Sequence, residues 1–184
     1  MGNITDRRGP NAGQKPEIEL RTRYAGAPLK FEQSTIIDRQ FDQLDVGTWL
    51  FSMNDEDYQK AAGGHRALGT FADGTTRGMV NVEAIGGHLM VQHYKEVASS
   101  RSEVVMVSPK SRIYLAHLIP TLMGVRWTMS VKGLDAARSS FTCRVELFLP
   151  RWLRRLGPLL GVPHFVQAHV DEETIGYARD LLSR

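Results

Sequence analysis

The chain has 184 residues, enough for one domain with its own core, and 42% of them are hydrophobic. A formal net charge of +3 gives no ground for nucleic-acid binding. The sequence contains no run of about 18 apolar residues, the length that a helix needs to cross a bilayer. The single cysteine, Cys143, excludes an internal disulfide and a cysteine-based zinc site, so we expect a cytoplasmic protein.

The first 17 residues are rich in Gly, Pro, Asn and charge and contain almost no apolar side chains. They predict a disordered tail rather than a secretory signal, followed by a single domain at 18–184. Residues 29–37 (LKFEQSTII) then predict a strand. The next segment has irregular apolar spacing, with Gly47 and the NDED run inside it, and predicts two short helices.

Residues 65–149 alternate between strand-like runs and turn signals, which is typical of an antiparallel sheet. Asp73-Gly74 predicts a hairpin, and Pro109–Ser111 separates two runs at 103–108 and 112–119. The last two runs, 125–134 and 139–149, alternate apolar and polar residues, so one sheet face is covered and the other faces water. The covered face of these two runs includes Trp127, Met129, Phe141 and Cys143.

The chain closes with a predicted helix that begins at Pro163 and ends at Ser183, about 31 Å long. On a helical wheel its broad apolar face contains Val166, Val170, Thr174, Ile175, Tyr177, Ala178, Leu181 and Leu182. A polar stripe of His169, Glu173 and Asp180 borders that face.

In this order of elements the chain resembles the START-like, helix-grip superfamily over about residues 29–184. The closing segment HVDEETIGYARDLLSR looks like the terminal helix of many bacterial members. The resemblance implies an α+β fold in which a curved antiparallel sheet of about six or seven strands wraps around the long C-terminal helix. It also implies a cavity for a small hydrophobic or aromatic molecule, used by a polyketide cyclase-like enzyme or by a ligand carrier.

The cavity of such a fold would lie between the sheet and the closing helix. Trp127, Met129, Phe141 and Tyr177 would then be either ligand contacts or ordinary core residues. Two histidines of the sheet are candidates to point inward. His93 shares a strand face with Val91 and is a candidate catalytic group, and His117 lies in the run of Ile113 and Leu115 and is a candidate ligand contact.

One subgroup of the superfamily, the zinc-dependent phloroglucinol hydrolases, has a His-x-x-x-Glu pair on the closing helix. His169 and Glu173 match that spacing, so the resemblance implies that both are catalytic and bind zinc. The subgroup also needs a histidine and a glutamate from the sheet. The candidates here are His88, His93 or His117, together with Glu83 or Glu96.

Two simpler interpretations of His169 and Glu173 remain open. The first expectation is a solvated surface pair and no cofactor, because this spacing is common in helices. Alternatively, the pair acts in acid–base chemistry at the cavity mouth without a metal.

Residues 151–160 (RWLRRLGPLL) combine three arginines with an aromatic residue and leucines. This segment either touches an anionic lipid surface or a partner, or it is a connector whose leucines pack under the terminal helix. The sequence leaves the ligand, the reaction and the formation of a homodimer open.

Overall fold

The computed structural model describes residues 14–184. The helices are α1 (Lys15–Arg23), α2 (Val46–Ser52), α3 (Asp55–Ala61), α4 (Arg151–Leu156) and α5 (Val162–Leu182), with a 3-10 turn at Phe41–Gln43. The strands are β1 (Leu29–Ile37), β2 (His65–Asp73), β3 (Thr76–Ile85), β4 (His88–Ser99), β5 (Glu103–Leu115), β6 (Ile119–Gly133) and β7 (Ser139–Phe148). Within the described residues, none of these helices is long and apolar enough to span a bilayer.

The seven strands form one antiparallel sheet in the order β1-β7-β6-β5-β4-β3-β2. The sheet curves around α5, which contacts β1 at one edge and β3 near the other. The two short helices, α2 and α3, follow β1 as the sequence predicts. The predicted α+β architecture, a curved sheet gripping a long C-terminal helix, is therefore confirmed.

The core fills the space between the concave face of the sheet and α5. Met129 of β6 and Phe141 of β7 are completely buried there, as their alternation with polar neighbours predicts. Trp49 of α2 makes edge-to-face contacts with Phe141 and with Tyr177 of α5, at centroid distances of 5.9 and 5.8 Å. These aromatic contacts join α2, the sheet and α5 into a single core.

Most of the predicted tail lies outside the described residues, but its end does not. Residues 15–17 form the first turn of α1, an element that the sequence analysis did not predict. Leu20 and Tyr24 of this helix pack on the convex face of the sheet against Val107 and Phe148. The convex face is therefore partly covered by α1.

Residues on both sides of Pro109 form a single strand, β5, which corrects the prediction of a break, and this strand ends at Leu115 rather than at 119. Between Ser108 and Ser111 the pairing with β6 shifts by one residue, which is a β-bulge. A bulge tolerates proline because its extra residue has no place in the hydrogen-bond ladder. The hydroxyl of Ser108 instead accepts from the backbone N–H of His93, at 3.1 Å.

Candidate metal centre

The predicted His–Glu pair of α5 lies inside the protein. His169 and Glu173 are only 8% and 3% exposed, so the expectation of a solvated pair is wrong. The cause is the close approach of α3, which covers this side of α5 at Gly176. A side chain at position 176 would collide with the backbone of Ala61, because its Cβ would lie 1.9 Å from the carbonyl oxygen.

A third buried residue, His65, completes a cluster with the helix pair. It is the first residue of β2, just after α3 and the Gly63-Gly64 turn, and the sequence analysis did not single it out. Its Nε2 lies 3.5 Å from Glu173 Oε2, and His169 Nε2 lies 3.7 Å from the same oxygen. Each of the three residues offers one atom that could bind a metal ion, and these three atoms lie within 4.8 Å of one another.

A second carboxylate, Glu83 of β3, lies beside the three residues, and its Oε2 is 3.9 Å from His169 Nε2. Glu83 was one of the two glutamates that the resemblance suggested. The hydroxyl of Tyr58 on α3 donates to Glu83 Oε1 at 2.6 Å, and the Gln92 amide donates to Oε2 at 3.3 Å. These two donors fix the orientation of the carboxylate.

The tautomer of His65 is set by its backbone contact. Its Nδ1 lies 2.7 Å from the carbonyl oxygen of Tyr58, so Nδ1–H donates and Nε2 points into the cluster. Within residues 14–184 the buried Nε2 atoms of both His65 and His169 lack a hydrogen-bond partner. Unpaired polar atoms are costly to bury, and a cation bound between these two imidazoles and the carboxylate would give both Nε2 atoms a partner.

The protonation of the cluster follows from its burial and its charges. Burial disfavours the charged imidazole of His65, but its interaction with Glu173 and the charge of Glu83 outweigh burial and raise its pKa. Burial likewise opposes ionisation of Glu173, yet the interaction with His65 and the charge of His169 lower its pKa. Without a metal, a proton on His65 balances the charge of Glu173, and a bound cation would replace that proton.

Glu173 is also held from the side of the sheet. The thiol of Cys143 donates to Glu173 Oε1 at 3.3 Å, and the indole N–H of Trp127 donates to the Cys143 sulfur at 3.2 Å. Burial, followed by the charge of Glu173, raises the pKa of Cys143 well above its usual value. The thiol therefore stays protonated and orients Glu173, leaving Oε2 directed at the two imidazoles.

Two of the spacings in the cluster match those around a zinc ion. Ligand atoms about 2.0–2.2 Å from a tetrahedral zinc lie about 3.3–3.6 Å apart, close to the spacings of Glu173 Oε2 from the two Nε2 atoms. Two imidazoles and a carboxylate form a common zinc ligand set with one position left for water or substrate. The backbone contact of His65 Nδ1 is the outer-shell support that metal-binding histidines usually have.

A narrow cavity opens from the cluster between the sheet and α5. Its polar end is formed by Glu83, Gln92, His169 and Glu173, and its walls include Tyr94, Trp127 and Val170. It shares Met90, Met123 and other apolar side chains with a second compartment near α4, lined by Leu153, Val162 and Phe165. Each has a volume of about 30 Å³, room for about two waters, so a larger ligand requires these flexible methionines to move.

Of the five predicted ligand contacts, which include His117, only Trp127 lines this cavity. Met129, Phe141 and Tyr177 are completely buried in the neighbouring core. Their positions on the covered faces were correct, but that end of the core is filled by the aromatic side chains of α2 and α3.

The histidines proposed from the sheet lie elsewhere. His93 is exposed because Met90, Gln92 and Tyr94 occupy the inner face of β4. His117 is exposed in the β5–β6 turn with φ of 62°, and therefore does not continue the strand of Ile113. Neither residue contributes to the cluster.

The other two candidates from the sheet also have other partners. His88 lines the apolar compartment and accepts from the backbone N–H of Ala116 at 3.0 Å. Glu96 forms a two-pronged ion pair with Arg77, at 2.9 and 2.6 Å. The sheet's contributions to the cluster are therefore His65 and Glu83.

The Tyr58–Glu83 hydrogen bond predicts a difference between two buried tyrosines. The free energy of unfolding of the Tyr58→Phe variant should be about 2 kcal/mol lower than that of wild type. Glu83 loses a charge-assisted hydrogen bond in this variant, while the ring still stacks on His65. Tyr177→Phe should cost nothing, since within the described chain the Tyr177 hydroxyl has no partner. Urea unfolding of the metal-free variants measures both, and equal losses would contradict the assigned hydrogen bond.

Structural comparisons identify proteins of similar fold. A protein from Thermus thermophilus has a TM-score of 0.59 and 14% identity, covering 84% of this chain and 98% of its own. The di-domain aromatase/cyclase of the steffimycin biosynthetic pathway has a TM-score of 0.55 and 12% identity, over 85% of this chain and 50% of its own. An aromatase/cyclase from a Streptomyces species gives 0.52 and 10%, over 85% of this chain and 95% of its own.

These likenesses concern the fold alone because all three identities are low. No family model and no curated protein matches the chain.

Proposed function

We propose, from the premise that this chain has the helix-grip fold, that it is a zinc-dependent hydrolase of a small aromatic ketone. One observation supports this most strongly. The unpaired Nε2 atoms of His65 and His169 converge on Glu173 in a buried, oriented cluster at the end of a cavity. A purely structural ion pair would not need two imidazoles directed at one oxygen.

His65, His169 and Glu173 would hold the ion. A zinc ion bound there would polarise a substrate carbonyl and lower the pKa of a bound water. The backbone carbonyl of Tyr58 orients His65, and the thiol of Cys143 orients Glu173. Both ligands would therefore be positioned before the ion binds. His169 and Glu173 also line the cavity, and substrate would therefore reach the site from that side.

Glu83 is the proton acceptor in this proposal. It faces the cavity beside His169, and its orientation is fixed by Tyr58 and Gln92. Burial, followed by the charge of Glu83, raises the pKa of Tyr58 well above its usual value, so the phenol remains a donor. Glu83 can accept a proton from the attacking water at Oε2 and return it to the leaving group.

The lining of the cavity favours a substrate with a polar head and an apolar body, which would enter once the methionines move. Beyond the four polar residues at the cluster end, the walls are apolar, with Met90 and Met123 joining the two compartments. A carbonyl and ring hydroxyls would lie among Gln92, Glu83 and the zinc ligands, and the ring or acyl chain would extend along the methionines. This is the chemistry of an acylated polyhydroxybenzene, the class suggested by the sequence resemblance.

The test is hydrolysis of a phloroglucinol bearing an acetyl group, followed by release of acetate. Metal-free protein should be inactive, zinc should restore turnover, and His169→Ala should remain inactive with zinc. His164→Ala, which changes an exposed histidine of the same helix, is the matched control and should behave as wild type. Zinc-independent acetate release, or full turnover by His169→Ala, would exclude this function and leave a metal-free cyclase or carrier.

A further inference from the structure

Exposed apolar side chains are concentrated at one end of the molecule. Leu118 and Ile119 project from the β5–β6 turn, 81% and 62% exposed, and Leu159 after α4 is 83% exposed. Trp152, Leu156 and Leu160 are each close to half exposed. Leu156, Leu159 and Leu160 therefore do not pack under α5 as a simple connector would require, whereas Leu153 of α4 is buried.

The two exposed segments lie together around the outer end of the cavity. Leu122 at the start of β6 and Trp152 of α4 line one surface groove. Leu115 beside the turn and Leu153 of α4 line the apolar compartment, together with Phe165 at the start of α5. We call the exposed surface formed by 117–122 and 151–165 the apolar rim.

The charge at the apolar rim is of one sign. Arg151, Arg154 and Arg155 are exposed on α4, and none forms an ion pair with another residue of the described chain. The sequence contains no Asp or Glu in 104–134 or in 147–170, the two stretches that supply the rim. An uncompensated cationic and apolar surface is complementary to an anionic bilayer, whose headgroups attract arginine while its interface accepts leucine and tryptophan.

We infer that the apolar rim binds the surface of an anionic lipid membrane, with the outer end of the cavity turned toward the lipid. Leu118, Ile119 and Leu159 enter the interface, and the three arginines pair with lipid phosphates. The binding surface stands independently of the metal. Its role in admitting a lipophilic substrate directly from the membrane rests on the proposed function.

The test is co-sedimentation of the full chain with phosphatidylcholine vesicles, with and without phosphatidylglycerol. We expect binding to the anionic vesicles that weakens with salt, and replacement of the three arginines by alanine should weaken it roughly 100-fold. Replacement of the same arginines by lysine preserves the charge and should retain most of the affinity. Leu118→Ser with Leu159→Ser should weaken binding, and the matched exposed pair Ile36→Ser with Ile175→Ser should not.

Absence of binding to anionic vesicles would overturn the inference, as would binding that the arginine and leucine substitutions leave unchanged. A dimer in sedimentation velocity that Leu118→Ser and Leu159→Ser abolish, without vesicle binding, would assign the surface to a second copy instead. The His169→Ala variant should bind vesicles like wild type. Membrane binding and the metal site can therefore fail separately.

Discussion

The His65→Ala variant is expected to bind zinc about 100-fold more weakly than the wild-type protein, or worse. His65 supplies one of the three proposed zinc ligands, and its Nε2 lies 3.5 Å from Glu173 Oε2. Alanine leaves two ligands, which cannot hold the ion in a tetrahedral site with one open position. Competition against a chromophoric chelator measures the affinity directly.

The matched control for this experiment is His93→Ala, which removes an exposed histidine from the outer face of the same sheet. It should leave zinc affinity unchanged. Circular dichroism of both metal-free variants checks that they fold. Wild-type affinity in folded His65→Ala would show that the cluster is not the zinc site.

The Glu83→Gln variant is expected to retain zinc but to lose catalytic turnover by about 10²–10⁴-fold. Glutamine keeps the shape of the side chain, and its carbonyl oxygen can still accept from Tyr58, whereas it cannot take a proton from water. The three residues that hold the ion are unchanged. The loss should therefore appear in kcat at zinc saturation, with zinc affinity within about threefold of wild type.

Glu96→Gln is the control for charge removal, because Glu96 pairs with Arg77 away from the cluster. It should leave kcat unchanged. If Glu83→Gln loses zinc and turnover together, Glu83 is a ligand rather than the proton acceptor. Full turnover by the zinc-loaded variant would remove Glu83 from the reaction altogether.

The sequence carried most of the fold because the element order and the one-faced alternation are local signals. Residues 29–37 and the alternation of Trp127 and Met129 directly indicated a strand and a covered face, and the structure has both. The bulge at Ser108–Ser111 was missed because proline in a run ordinarily indicates a break.

The candidate site was half visible for a different reason. His169 and Glu173 share one helix, so their spacing alone placed them together. His65 lies far away in the chain at the first position of a strand, and only the path of α3 over Gly176 brings it to Glu173. No local pattern reports a contact of that kind.

His93 illustrates a further limit of alternation. A period of two shows that Val91 and His93 share one face of β4, but not which face is inside. Val91 is an apolar side chain that is only half-buried on the outer face, so its hydrophobicity did not identify the inner face. Gln92, a polar residue, lies inside because it donates to Glu83.

The most direct test of the metal centre is native mass spectrometry of the freshly purified chain, prepared without a histidine tag and without added metal. We expect about one zinc per chain, released when the protein is denatured and absent from His65→Ala and His169→Ala. Wild-type protein that stays metal-free even after incubation with zinc, with a zinc content no higher than that of His65→Ala, would contradict it.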